Sequence, residues 1–154
     1  MKISRDTGPH RFCMPAWISC APFEEMLGME IVRADKGTAV LTMPFLRSLA
    51  QGAGLMHGGA LVSLADTAVV MAIKSIVEPG THFATIAMQS RFLHPVKKGI
   101  LQARASIVER SGATLSGRCD VHDDDGRAVM IFSSVFKIAR DAVITEVFFG
   151  DSAP

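Results

Sequence analysis

The chain has 154 residues, a formal net charge of +1, 49% hydrophobic and 20% charged residues. This composition excludes a disordered chain, and the near-neutral charge removes the electrostatic case for nucleic-acid binding. The apolar runs are shorter than the ~20 residues of a membrane span, yet the apolar share is generous for a single domain and points to surface covered by another subunit.

Residues 1–20 read as an irregular N-terminal arm. Asp6, Gly8, Pro9 and Pro15 interrupt any apolar leader, so no signal peptide is expected. Residues 21–141 read as one folded domain and 142–154 as a tail. The run 21–28 has Pro22 near its start, Glu24 and Glu25 in its first turn and Gly28 at its end, which predicts a short helix. Residues 29–34 and 38–43 are β-favouring runs around the turn Asp35-Lys36-Gly37, a hairpin pattern. Residues 44–58 form a loop.

Residues 60–73 read ALVSLADTAVVMAI, apolar on almost every face with Asp66 as the one charge. That is the pattern of a buried helix, about 21 Å long at 1.5 Å per residue. Glu78-Pro79-Gly80 ends the segment. Four strand-like runs follow, at 85–93, 100–108, 113–121 and 128–138, separated by 94–99, 109–112 and 123–126. The acidic run Asp123-Asp124-Asp125-Gly126 is a hairpin turn, because the rest of a calcium loop is absent. The order describes an α+β fold, an antiparallel sheet with one long helix on a face.

Cys13, Cys20 and Cys119 are odd in number and form no C-x-x-C, which fits a reducing, cytoplasmic setting. The five histidines show no metal-ligand spacing, so neither a metal nor another cofactor is expected. Nucleotide-binding glycine motifs and the G-x-S-x-G of serine hydrolases are also absent.

Two features could carry chemistry. An ionised carboxylate within an apolar helix costs several kcal/mol unless it is paired or faces a wet site. No basic residue stands three or four positions from Asp66, so its local partners reduce to hydroxyls such as Ser63. It is either a buried cap for another element's backbone or a catalytic carboxylate in a cleft. The second feature is His57-Gly58-Gly59 before the helix. Glycines there expose free backbone N–H groups, and the helix dipole adds positive potential, so the motif is either a turn or a site for an oxyanion. Gly58 and Asp66 are eight positions apart, a rise of about 12 Å. If both act on one carbonyl, they come most simply from two subunits of a two-fold dimer.

The stretch Gln51-Gly52-Ala53-Gly54-Leu55-Met56-His57-Gly58-Gly59-Ala60, followed by Ser63-Leu64-Ala65-Asp66, resembles the hotdog-fold thioesterases of the phenylacetic-acid-degradation (PaaI-like) type. The resemblance extends over residues 22–140, and the element order fits a hotdog fold, an antiparallel β-sheet wrapped around one long central helix. It implies hydrolysis of an acyl-CoA thioester by a homodimer or dimer of dimers. In that family the Gly58 N–H polarises the carbonyl, and Asp66 of a neighbouring subunit activates water or attacks directly. By the same resemblance Thr85 stands where a hydroxyl would orient that water, and His57 would shape the loop. Gln51 stands where the family often has Asn, keeping the amide on a longer arm. Gly59 falls with the substrate-binding groups, as do Arg91, Lys97, Lys98 and Arg110, whose cations suit CoA phosphates. Ser111 and Gly112 could add backbone N–H groups.

Two other readings fit the same residues. A non-catalytic acyl-CoA-binding or regulatory protein would bind the ester without releasing thiol. A hydratase of the same fold wants an Asp and His pair at the loop and helix start, whereas Asp66 lies two turns in. Phe23, Phe83, Phe92 and the nine methionines are candidates for an acyl pocket, with core packing as their ordinary role.

Overall fold

A computed structural model describes residues 12–143 and 147–150. In chain order these form β1 (Phe12–Met14), α1 (Pro22–Met26), β2 (Glu30–Asp35), β3 (Thr38–Pro44), a 3-10 turn (Arg47–Leu49), α2 (Gly58–Lys74), β4 (Thr81–Phe92), β5 (Ile100–Ser111), β6 (Thr114–His122), β7 (Ala128–Val143) and β8 (Val147–Phe149). Six strands make one antiparallel sheet in the order β2-β3-β5-β6-β7-β4. This is the α+β, helix-in-sheet architecture that the resemblance implies.

The β2–β3 hairpin turns through Lys36 and Gly37, both at positive φ, which is the backbone a two-residue hairpin needs and the reason glycine sits there. Strand alternation then does the sorting. Leu41 and Met43 on β3, Leu101 and Ala103 on β5, Leu115 and Val121 on β6, and Phe132 and Phe136 on β7 are buried on the face that α2 covers. From α2 they meet Leu64, Ala65, Ala68, Val69, Met71, Ala72 and Ile73. The approach is closest at Gly117 of β6, where a Cβ would stand 2.4 Å from Val69 Cγ1. The opposite side of α2, with Val62, Ser63, Asp66, Val70 and Lys74, is only half-buried. The helix is therefore open on one face, not buried all round as its composition suggests.

Four boundaries depart from the sequence reading. The strand expected from residue 85 begins at Thr81, because Thr81, Phe83 and Thr85 already alternate inward directly after the Pro79-Gly80 break. The segment 1–20, read as irregular, contains β1, which pairs in parallel with β8 from the tail. β5 runs on to Ser111, paired with β6 as far as Ser111↔Thr114, and β7 to Val143, paired with Thr81 of β4.

At one end of the sheet lie the α2 N-terminus, the last residues of β4 and the start of β5. At the other lie the α2 C-terminus, the start of β4 and the β5–β6 turn.

Candidate active site

The loop before α2 is pinned on both flanks. The Met56 N–H donates to Val96 O at 2.9 Å, and the His57 N–H donates to Leu49 O at 2.8 Å. His57 then caps the helix. Its backbone is extended, and its Nδ1 accepts from the Gly59 N–H at 2.8 Å. With Nδ1 accepting, the neutral ring carries its proton on Nε2. The His57 carbonyl takes the N–H groups of Ala60 and Leu61 at 3.0 and 3.4 Å.

A helix start leaves its first N–H groups without intrahelical partners. Here the His57 N–H bonds to the loop, Gly59 to the His57 ring, and Ala60 to the His57 carbonyl. The Gly58 N–H alone has no partner among the described residues. Phe92 of β4 lies over it, so close that a Cβ on residue 58 would stand 3.2 Å from the ring Cζ. Gln51, Leu55, Gly58, Phe92, His94 and Val96 line a groove of about 370 Å³ around this N–H. Gln51 Oε1 accepts from the Ala53 N–H, which turns the amide so that its NH2 remains free to donate.

Asp66 sits two turns further along α2. The partner that sequence spacing offered, Ser63, is engaged elsewhere: its Oγ donates to Gly59 O at 2.7 Å. The hydroxyl that reaches Asp66 comes from another element. Thr85 Oγ1 of β4 lies 3.2 Å from Oδ1 and 3.4 Å from Oδ2. β4 changes register between Thr85 and Ala87, and a bulge beside a site is a usual way to re-aim a side chain. Burial pushes the Asp66 carboxyl above the ordinary aspartate value, and the Thr85 hydroxyl pulls the other way. Thr85 lines a second, separate cavity of about 200 Å³. One chain thus has its free N–H and its perturbed carboxylate at two different places.

The expected phosphate-binding groups do not gather within one chain. Lys97 and Lys98 are exposed and follow directly on Val96 of the Gly58 groove. Arg110 and Ser111 close β5, with Gly112 in the turn at φ +59. They lie at the far end of a twelve-residue strand, roughly 35–40 Å away. Arg91 is on the outer sheet surface, where it shares a cavity of about 450 Å³ with Arg118. Arg118 escaped notice because only strand register brings β4, β7 and β6 side by side. Phe83 lines the cavity beside Thr85, and Phe23 is exposed on α1. Among the described residues no His, Cys, Asp and Glu side chains cluster as a metal site, and no helix is long and apolar enough to cross a membrane.

The sequence pattern of the Thioesterase superfamily matches residues 53–130, which hold the capped loop, all of α2 and strands β4 to β6. The chain belongs to the thioesterase superfamily. The thioesterase is 45% identical over 107 residues to "Acyl-coenzyme A thioesterase PaaI" of Escherichia coli (strain K12), covering 69% of this chain and 74% of that one. The solved structure of the E. coli PaaI protein superposes with a TM-score of 0.71 over 77% of this chain and 85% of that one, at 28% identity. A conserved protein of Pseudomonas aeruginosa, PA5202, shares the fold with a TM-score of 0.75 over 80% of this chain and 97% of that one, at 23% identity. The thioesterase is a PaaI-like hotdog enzyme, a thioester hydrolase. The arm carrying Trp17 and the strand β8 lie outside the matched family region.

Proposed function

We propose that the thioesterase hydrolyses an acyl-CoA ester to the free acid and CoA in a site shared between two subunits. The observation that carries this is the singled-out Gly58 N–H at the α2 start, with the hydroxyl-held carboxylate two turns away.

The thioester carbonyl oxygen accepts from the Gly58 N–H, in the positive field of the helix terminus, with the Gln51 amide as a second donor. The carboxylate comes from Asp66 of the partner subunit. Ionised, it takes a proton from water as the oxygen attacks the carbonyl carbon; Thr85 fixes its orientation. The C–S bond breaks, and the departing CoA thiolate receives that proton. Direct attack by the same carboxylate would pass through an anhydride. A single turnover in heavy-oxygen water tests this: label in the Asp66 side chain arises only from an anhydride hydrolysed at the Asp66 carbonyl carbon, and is not expected for water attack on the thioester.

The exposed edge of the sheet supports the shared site. Among the described strands β4 pairs with β7 alone, and Ile86, Met88 and Phe92 on it are 60%, 48% and 52% exposed. An apolar edge strand is a template for pairing with a second chain. Antiparallel β4–β4 pairing about a two-fold axis carries the Gly58 end of one protomer toward the Asp66 region of its partner. It also brings Lys97 and Lys98 toward the partner's Arg110 turn, where one CoA could span both.

Mixed oligomers test this. Asp66→Asn and Gly58→Pro subunits, each inactive alone, regain one intact site per mixed pair when co-expressed. A mixture as inactive as its parents overturns the shared site.

A further inference from the structure

The 200 Å³ cavity beside Thr85 has a wall that comes from outside the family-matched region. It is lined by Trp17, Val70, Lys74, Phe83, Thr85 and Phe136, among others. Asp66, Val70 and Lys74 are spaced i, i+4, i+8, so they follow one another up a single face of α2. On the facing strand, Thr85 and Phe83 alternate inward, and Phe83 meets Phe136 edge-to-face with centroids 5.9 Å apart. The cavity thus begins at the hydroxyl that holds Asp66 and runs along the helix toward its C-terminus.

Trp17 closes it there. The Trp17 indole N–H donates to Lys74 O at 3.0 Å, and the Lys74 ammonium donates back to Trp17 O at 2.9 Å. The same ammonium stands 4.6 Å from the centroid of the indole ring. On its other side Trp17 meets Phe149 of β8 edge-to-face at 5.6 Å. The indole is therefore held by a carbonyl, a cation and an aromatic at once. Its own N–H is spent on the helix end, so it offers the cavity an apolar surface.

We propose that Trp17, clasped by Lys74, is the end wall of the acyl pocket and sets the longest acyl group the thioesterase accepts. This rests on the assignment of Asp66 and Thr85 to the reaction. An apolar cavity of about 150 Å³ takes one benzene ring. A space of 200 Å³ therefore takes an acyl group of one ring or a short chain, and a decanoyl chain meets the indole.

The chain's one tryptophan is Trp17, so its emission reports on the wall directly. In Asp66→Asn protein, where the ester survives, butyryl-CoA and phenylacetyl-CoA should alter the emission while CoA alone leaves it unchanged. In active protein, Trp17→Ala should raise the ratio of decanoyl to butyryl kcat/KM by at least about tenfold, the scale of pocket discrimination in apolar sites. Trp17→Phe should keep the wild-type ratio. An unchanged ratio in Trp17→Ala, or emission blind to the acyl group, overturns the wall and leaves the thioesterase chemistry standing. Should Trp17→Ala fail to fold, the emission experiment decides alone. Loss of acyl-CoA hydrolysis in the wild type across all chain lengths would instead sink the substrate reading.

Discussion

Thr85 Oγ1 lies within 3.4 Å of both oxygens of the Asp66 carboxylate, although the two residues belong to different elements. The hydroxyl favours the ionised form, and burial opposes it more strongly. A base must be ionised to act. The acid limb of the kcat/KM profile is therefore expected above the ordinary aspartate value of 3.8. Thr85→Val removes the one contact that lowers this pKa and moves the limb to higher pH. A limb that stays in place in Thr85→Val excludes Asp66 as the titrating group.

Asp66→Asn should cut kcat by about 10²–10⁴-fold, the usual contribution of a general base. It should also stabilise the fold. A carboxyl whose folded pKa is raised gives stability that is full below its unfolded pKa and lost as pH rises through the folded one. The variant's Tm should exceed the wild type at neutral pH and converge with it below about 3.8. Thermal melts across that range check the sign.

The Gly58 N–H can be deleted without removing the helix start. Proline is well tolerated at the first helical position, and the residue before it, His57, already has the extended backbone that proline requires. Gly58→Ala adds the same crowding against Phe92 but keeps the N–H. Gly58→Pro should lose about 10²–10³-fold more kcat than Gly58→Ala, the worth of one oxyanion donor. Equal losses would assign the effect to the Phe92 contact.

The Gly117–Val69 approach predicts a stability effect remote from the chemistry. Gly117→Ala forces a methyl to within 2.4 Å of Val69 Cγ1, and overpacking of this kind costs about 1–3 kcal/mol. Val69→Ala should recover part of that loss in the double variant. Denaturant midpoints measure both, and strict additivity would show that the two sites do not couple.

Charge on the open edge should separate the subunits and silence them together. Ile86→Glu places a carboxylate on β4 where the side chain is 60% exposed in the single chain, so the isolated fold tolerates it. Light scattering should report monomers, and turnover should fall with the loss of the oligomer. A monomeric variant with full activity would contradict a shared site.

Much of this was legible in residue order. The apolar run around Asp66, the H-G-G start and the period-two strands carry the fold, because each is a local pattern. The spacing of Gly58 and Asp66 also forecast their separation, since helical rise is fixed. What local pattern could not show depended on register. Thr85 came to the site through family likeness, yet its bond to Asp66 joins two elements across 19 positions of chain. Ser63, the hydroxyl three positions before Asp66 on the helix, turned back to its own helix. Trp17 stood unread within an arm taken as irregular, although a tryptophan beside Met14, Pro15, Ala16 and Ile18 is itself a sign of packing.

The parallel pairing of β1 with β8 joins segments that nearly the whole chain separates. Closing so long a loop is costly until the intervening domain has folded, so this pair forms last and opens first. Residues 12–14 should then exchange their amide hydrogens well before the β5–β6–β7 core does. Because Trp17 packs on Phe149 of this outer layer, the far end of the 200 Å³ cavity is expected to loosen with the β1–β8 pair. The β1–β8 pair would then act as a latch, lifting while the sheet and helix stay intact.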